Sequence, residues 1–168
     1  MCIKIFTTGG TIDKVYFDAR SDYEVGDPQV REILDAVGVT VETDVETLMR
    51  KDSLDLTDAD RALIAEHVRE DACDRILITH GTDTIVETAR ALGDIGRKAV
   101  VFVGSLSPAR FKGSDAEFNI GFALAAVQLL PPGAYVAMNG HIFRADEVTK
   151  NRPANRFEGE PYQPLNAS

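Results

Sequence analysis

The sequence has few of the residue types that build metal centres and disulfide-stabilised folds. Its 168 residues include two cysteines, Cys2 and Cys73, and three histidines. Two cysteines without a recognisable spacing are too few for a disulfide framework or a cysteine-ligated metal site. The histidines, His67, His80 and His141, lack the spacing of zinc ligands. We therefore expect no metal, and a reducing, cytoplasmic environment.

Positive charge and long apolar runs are also scarce. The chain has 18 lysines and arginines against 27 aspartates and glutamates, a net charge of −9. A surface that binds nucleic acid needs a basic stripe, which this balance disfavours. No window carries the long apolar run of a membrane span or resembles the core of a signal peptide. We therefore expect neither nucleic acid nor a membrane as a partner.

The chain does carry the pattern of a globular α/β protein. Hydrophobic residues make up 44% of it, and its length suffices for one domain that buries about 70% of its unfolded surface. Apolar runs typical of strands alternate with helical periodicity, which predicts a single domain with a doubly wound, mostly parallel sheet and helices on both faces. The predicted strands are 2–6, 39–49, 75–78, 98–103 and 134–138; the predicted helices are 28–37, a segment capped by Thr57 and Asp60, 85–92 and 114–130.

Two threonine-bearing loops follow predicted strands. One is T-T-G-G-T-I-D at residues 7–13, and the other is T-H-G-T-D-T at residues 79–84. In an open parallel sheet such loops gather at the carboxyl ends of the strands, where α/β proteins bind ligands. Hydroxyls, a carboxylate and glycine amides therefore converge on one crevice, which is a suitable set of groups for acyl transfer.

The first loop suits a threonine nucleophile. Thr11 follows Gly9 and Gly10, and glycines let a substrate approach the backbone and leave amides free for an oxyanion. A threonine hydroxyl attacks only when a base or a cation activates it. The alternative is a tight strand-to-helix turn capped by threonine. A phosphate cradle is disfavoured because neither glycine-rich phosphate motif is present.

The second loop places Thr82 beside Asp83, so that a carboxylate could bind an ammonium group or orient a lysine. The alternative is that Asp83 or Thr84 caps the following helix. From the residues alone, Lys150 is typical of a solvated surface lysine and Ser53 of a polar loop. Tyr23 fits either a mobile lid or a half-buried aromatic residue.

Several motifs together resemble the bacterial-type L-asparaginase family, and they occur in that family's order. They are T-T-G-G-T-I at 7–12, S-D-Y-E-V-G at 21–26, D-S-L-D-L-T at 52–57, I-T-H-G-T-D-T-I-V-E-T-A at 78–89, G-S-L-S-P at 104–108 with S-D-A-E-F-N at 114–119, M-N-G-H-I-F at 138–143 and D-E-V-T-K-N at 146–151. The resemblance implies an asparaginase-like catalytic domain over residues 1–157 and a tail over 158–168.

The resemblance also implies roles for individual residues. Thr11 is the expected nucleophile on the side-chain amide of L-asparagine, and Tyr23, on a loop that closes over the substrate, assists its deprotonation. Lys150 polarises Thr82. The expected substrate-binding residues are Gly10, Ser53, Leu54 and Asp83, of which Ser53 anchors the α-carboxylate and Asp83 the α-ammonium. A β-aspartyl-threonine intermediate forms as ammonia leaves, and water hydrolyses it with no cofactor.

The chain departs from the family pattern in three places. Typical members carry a second, smaller C-terminal domain, which supplies an acidic residue to a neighbouring subunit's site. Leu54 stands where a polar residue is common, and residues 151–154 lack a threonine-rich run. We expect a short, single-domain asparaginase with a more open site, and a homo-oligomer. L-Glutamine as substrate, a non-catalytic amino-acid-binding module and a component of an amidotransferase complex stay open as alternatives.

Overall fold

The structure, a computed structural model, describes residues 2–17 and 22–164. Its strands, numbered in chain order, are β1 Ile3–Gly9, β2 Lys14–Phe17, β3 Asp22–Val25, β4 Thr43–Lys51, β5 Arg75–Thr79, β6 Ala99–Val103, β7 Gly133–Met138, β8 His141–Arg144, β9 Val148–Asn151 and β10 Arg156–Gly159. Its α-helices are α1 Val30–Ala36, α2 Asp58–Glu70, α3 Ile85–Ala91 and α4 Ala116–Leu129. Two 3-10 turns cover Thr11–Asp13 and Ser53–Asp55.

A six-stranded sheet in the order β4-β1-β5-β6-β7-β8 forms the centre of the molecule. Its first five strands are parallel, and β8 pairs antiparallel with β7 at one edge. β1 and β6 are buried along their whole length, as apolar strands covered on both faces are. Helices α3 and α4 pack on β6 and β7. The predicted doubly wound, mostly parallel α/β fold is therefore confirmed.

Helix α2 begins as predicted. The Thr57 hydroxyl accepts a hydrogen bond from the Asp60 amide, and the Asp60 carboxylate accepts one from the Thr57 amide. This reciprocal pair satisfies two amides that the first turn leaves without helical partners. No helix within the described ranges combines the length and the apolar character that a membrane crossing requires.

Several elements differ from the prediction. Gln29, rather than Asp27, is the N-cap of α1. The sequence analysis missed β8 and two antiparallel hairpins, β2–β3 and β9–β10. Each of these strands has four residues, too short for a clear apolar alternation, and their pairing partners define them.

The expectation of unpaired cysteines is wrong in this structure, because Cys2 and Cys73 form a disulfide. Cys2 directly precedes β1 and Cys73 lies two residues before β5, and these strands run parallel with Ile3 opposite Arg75. The register brings the two Cα atoms to 5.7 Å, within the range that a disulfide spans. Parallel pairing, which sequence spacing does not reveal, joins residues 71 positions apart.

Candidate active site

The two threonine loops touch through their backbones. β1 and β5 are neighbours in the sheet, and Thr7 lies opposite Thr79 at their carboxyl ends. Beyond them, Gly10 adopts φ +94°, and a β-carbon there would collide with the amide nitrogen of Gly81. Glycine is needed at residue 10 for both reasons, the left-handed backbone and the close approach. The two loops therefore form one continuous surface.

A third loop reaches the same place. Ser53 is 2% exposed, and a β-carbon on Gly81 would lie 2.5 Å from its Oγ. The Thr84 hydroxyl donates a hydrogen bond of 2.7 Å to the Ser53 carbonyl. Thr84 occupies the N-cap position of α3, but its side chain does not cap the helix. The predicted threonine cap is therefore wrong, and the hydroxyl holds the Ser53 loop instead.

Residues 52 and 54 frame Ser53. The Asp52 carboxylate accepts a hydrogen bond from the Leu54 amide and forms an ion pair with Lys14 at 2.6 Å. Burial raises the pKa of Asp52, but the hydrogen bonds from Lys14 and from the Leu54 amide outweigh it and leave the pKa below its usual range. The Leu54 side chain is 59% exposed. Ser53 is thus fixed against Gly81, while Leu54 presents its side chain to solvent.

Lys150 approaches the second threonine loop from hairpin β9–β10. Its Nζ lies 3.4 Å from Thr82 Oγ1 and donates a hydrogen bond of 2.9 Å to Asn155 Oδ1. The ammonium also lies over the Phe157 ring, 4.8 Å from the centroid. Thr82 is 6% exposed. A cationic or neutral amine therefore faces a nearly buried hydroxyl.

Burial lowers the pKa of Lys150 below its usual value, while the negative charges of Asp83 and Asp115 act in the opposite direction. A lowered pKa makes the neutral amine, which can accept a proton, accessible nearer to neutral pH. Perturbed lysines of this kind are typical of functional sites.

Two arginines hold the hairpin that carries Lys150 in place. The Arg152 guanidinium donates to the Asp83 carbonyl at 3.1 Å and 3.3 Å. Arg90, on α3, donates to the Ala145 and Val148 carbonyls, each at 2.8 Å. The hairpin is therefore tied both to the second threonine loop and to the helix that follows it.

Thr11 is the first residue of the 3-10 turn after Gly10 and is partly exposed. Asp83 is half-buried next to Thr82. Tyr23 lies in β3, where its backbone pairs with Tyr16. The side chain of Tyr23 is outside the described part of the structure, and its role stays a prediction.

His80 has a structural environment rather than that of a base or a ligand. It is fully buried, and its Nδ1 lies 2.8 Å from the Gly81 carbonyl. Burial lowers its pKa to about 4, so that the ring is neutral at pH 7. Its edge contacts the Phe102 ring, with centroids 6.0 Å apart. His80 thus supports the loop from within the core.

Sequence reasoning missed two residues that shape the site, Asn155 and Asp115, and assigned Thr84 a different role. Asn155 holds the Lys150 ammonium, Thr84 holds the Ser53 loop, and Asp115 accepts amide hydrogen bonds of 3.0 to 3.1 Å from Leu106 and Ser107. Asn155 could have been recognised as a turn residue, because it ends the sequence Pro-Ala-Asn. Nothing local distinguishes the roles of Thr84 and Asp115, which depend on distant partners.

The arrangement has the groups that an acyl transfer needs. A hydroxyl on the partly exposed Thr11 follows a glycine, and a second hydroxyl, on Thr82, faces the Lys150 amine. A carboxylate and a buried serine stand nearby, which could meet the two charges of an amino acid.

Comparisons with known proteins point in the same direction. The family model described as "Asparaginase, N-terminal" matches residues 2–167. L-asparaginase 2 of Escherichia coli (strain K12) is 31% identical over 177 residues, covering 97% of this chain and 51% of that protein. A component of the glutamyl-tRNA(Gln) amidotransferase of Methanococcus maripaludis is 28% identical, covering 98% of this chain and 42% of that protein.

A solved structure agrees with these sequence matches. The thermostable L-asparaginase from Thermococcus kodakarensis superposes with a TM-score of 0.81 at 30% identity, covering 97% of this chain and 52% of that one. The chain spans about half the length of the curated relatives it matches. With the family model matching nearly every residue and the fold shared with a solved member, the chain belongs to the asparaginase family, to its N-terminal part.

Proposed function

We propose that the chain hydrolyses the side-chain amide of L-asparagine, giving L-aspartate and ammonia through an acyl-threonine intermediate. The observation that carries the proposal is the direct contact between the two threonine loops at Gly10 and Gly81, with Lys150 Nζ 3.4 Å from Thr82 Oγ1. The proposal extends to this chain the activity that its relatives' names describe.

In the first step, the Thr11 hydroxyl attacks the amide carbon, and its Oγ forms the new bond. The oxyanion that develops needs amide donors, and the backbone amides of the first threonine loop, next to Thr11, are the proposed donors. The carbon–nitrogen bond then breaks, and the nitrogen leaves as ammonia after it gains a proton. Tyr23 is the proposed partner that takes the Thr11 proton.

The Thr82–Lys150 pair serves proton transfer in the same site. With its pKa lowered by burial, Lys150 can accept the Thr82 proton as a neutral amine and return it to the leaving nitrogen as an ammonium. In the second step, water attacks the acyl carbon and gives a proton back to Thr82. The bond from the acyl carbon to Thr11 Oγ breaks as Oγ regains its proton from Tyr23, and L-aspartate leaves.

The two charges of the substrate need opposite partners. Asp83 is half-buried beside Thr82 and offers a carboxylate for the α-ammonium. Ser53, fixed by Thr84 and packed on Gly81, offers a hydroxyl for the α-carboxylate. The exposed side chain of Leu54 leaves only backbone atoms for the predicted role of that residue. L-Glutamine differs by one methylene, a difference worth about 1–3 kcal/mol in a pocket.

A second candidate function follows from the relative named as part of an amidotransferase. In that case the chain would act within a larger complex, and the isolated chain would not turn over free asparagine. A non-catalytic binding module is disfavoured because binding alone gives no reason for an amine facing the Thr82 hydroxyl. A homo-oligomer belongs to the proposal as well, whereas the disulfide between Cys2 and Cys73 weighs against the predicted cytoplasmic location.

The test is ammonia release from L-asparagine and L-glutamine by the purified chain and by the Thr11→Ala, Thr82→Val and Lys150→Met variants. Thr40→Val is the matched control, because Thr40 is exposed in the loop before β4. We expect turnover that each of the three substitutions abolishes and the control retains. Turnover that survives Thr11→Ala would move the nucleophile to another residue. A folded chain without turnover would favour the role within a larger complex.

A further inference from the structure

Asp13 is a buried carboxylate that the proposed mechanism does not use. It lies two residues after Thr11, in the same 3-10 turn, and is 1% exposed. Its Oδ1 accepts a hydrogen bond of 2.8 Å from the Gln29 amide. Its Oδ2 is buried and has no hydrogen-bond partner among residues 2–17 and 22–164.

The backbone and side chain of Asp13 together join the two ends of hairpin β2–β3. The hairpin starts at Lys14, directly after Asp13, and ends at Val25. The Gly26 amide then donates to the Asp13 carbonyl at 2.8 Å. The Gln29 amide, at the start of α1, donates to the Asp13 carboxylate. Asp13 therefore contacts the chain at both ends of hairpin β2–β3.

The same turn is fixed to the rest of the site. The Ala109 amide donates to the Ile12 carbonyl at 3.1 Å, and Arg110 donates to the Gln29 side chain at 3.1 Å. Any displacement of Asp13 would thus move the turn that carries Thr11 and the base of the hairpin that carries Tyr23.

Burial makes the ionised form of the Asp13 carboxylate unfavourable in this position. Burial raises the pKa of Asp13 to about 6, against the Gln29 hydrogen bond and the charge of Arg50, which both lower it. Arg50, on β4, is itself paired with Asp27 at 2.8 Å, and the adjacent Lys14 is paired with Asp52. Because the folded-state pKa lies above the ordinary value of 3.8, ionisation of Asp13 disfavours the folded state as the pH rises through this interval.

We infer that Asp13 is a positioning residue for Thr11. Its carboxylate clamps the start of α1 onto the nucleophile's turn through the Gln29 amide, while its backbone carbonyl holds the end of hairpin β2–β3 through the Gly26 amide. The inference rests on the proposed function for the role of Thr11, whereas the clamp itself stands on the hydrogen bonds of Asp13. A side chain retained against its own desolvation cost, beside a candidate nucleophile, is the pattern of a site that trades stability for function.

The test compares Asp13→Asn and Asp13→Ala with a matched control, Asp35→Asn, at an exposed position of α1. Asn keeps an acceptor for Gln29 but loses the charge, which makes the hydrogen bond weaker. We expect Asp13→Asn to have a higher Tm than the unmodified chain at about pH 8, with the difference disappearing at about pH 4. We expect kcat for L-asparagine to fall nonetheless, and to fall further in Asp13→Ala, by on the order of tenfold to a hundredfold.

If Asp13 had a purely structural role, activity would change in the same direction as stability. An Asp13→Asn variant with a higher Tm but a lower kcat than the unmodified chain therefore supports the inference. An Asp13→Asn variant that is both more stable and fully active would overturn it, as would one that is less stable and less active. Amide hydrogen exchange gives a readout that does not depend on activity. We expect Asp13→Ala to lose protection at the Gln29 amide, and unchanged protection there would overturn the clamp. An unmodified chain that releases no ammonia would refute the proposed function, while the exchange result would still decide the clamp.

Discussion

Contact between Gly81 and Ser53 gives the sharpest test of how the site is assembled. A β-carbon on Gly81 would lie 2.5 Å from Ser53 Oγ and 2.6 Å from Ser53 Cβ, while the next neighbour, the Gly10 Cα, is 3.3 Å away. Gly81 does not have a positive φ, so the backbone permits alanine, and the nearest atoms that oppose it belong to Ser53. Overpacking of this kind costs about 1–3 kcal/mol.

A double-mutant cycle isolates that collision. Ser53→Gly removes both of the atoms that a Gly81 side chain would strike, so Gly81→Ala should cost about 1–3 kcal/mol in the unmodified chain and near zero in Ser53→Gly. In a chain of this size a 2 kcal/mol loss lowers Tm by roughly 4–8 °C, which thermal unfolding followed by circular dichroism resolves.

Gly121 provides the matched control for this cycle. It lies within α4, and a β-carbon there would meet nothing within 4 Å. Gly121→Ala should therefore stabilise the chain by about 0.5–1 kcal/mol and add to Ser53→Gly without coupling. Should Gly81→Ala cost the same free energy with and without the Ser53 side chain, the packing of the three loops described above is incorrect.

Three further predictions concern the ties around the site. If neutral Lys150 accepts the Thr82 proton, kcat should rise with pH toward the lowered pKa of Lys150, and a flat profile would contradict that role. Thr84→Val should remove the shorter of two hydrogen bonds to the Ser53 carbonyl, leaving the one from the Leu56 amide at 3.4 Å. We expect a cost of about 0.5–1.5 kcal/mol and a higher KM for L-asparagine; an unchanged KM would remove Thr84 from the site. Cys73→Ser should lower the free energy of unfolding by about 4 kcal/mol, from the 71-residue separation of the disulfide. Urea unfolding should then give the same midpoint for Cys73→Ser and the reduced chain, and an oxidised chain no more stable than Cys73→Ser would argue against the bond.

The disulfide also bears on where the chain works. Disulfides persist in oxidising compartments and are rare in the cytosol, so the pairing of Cys2 with Cys73 weighs against the cytoplasmic prediction. A measurement of free thiols in the chain isolated from its native compartment distinguishes an oxidising compartment from the cytoplasm. Two reactive thiols would restore the cytoplasmic interpretation.

The features that could be predicted from the sequence are those that depend on residues close together in the chain. Apolar runs such as 99–103 predict buried parallel strands, because only residues covered on both faces can be uniformly apolar. Thr57 and Asp60 predict the start of α2 because both partners of the cap lie within one turn. The two threonine loops could be located because strand ends in a parallel sheet share one edge. The family followed from motifs that lie within short segments.

The contacts between distant segments could not be predicted, because they depend on how the chain folds. Thr84 and Ser53 are separated by 31 residues, Lys150 and Thr82 by 68, and Cys2 and Cys73 by 71. No periodicity along the chain encodes these pairs, since each depends on strand order and register. The burial of the Asp13 carboxylate is of the same kind, because an aspartate after Thr-Ile looks like an ordinary turn residue until hairpin β2–β3 and α1 close around it.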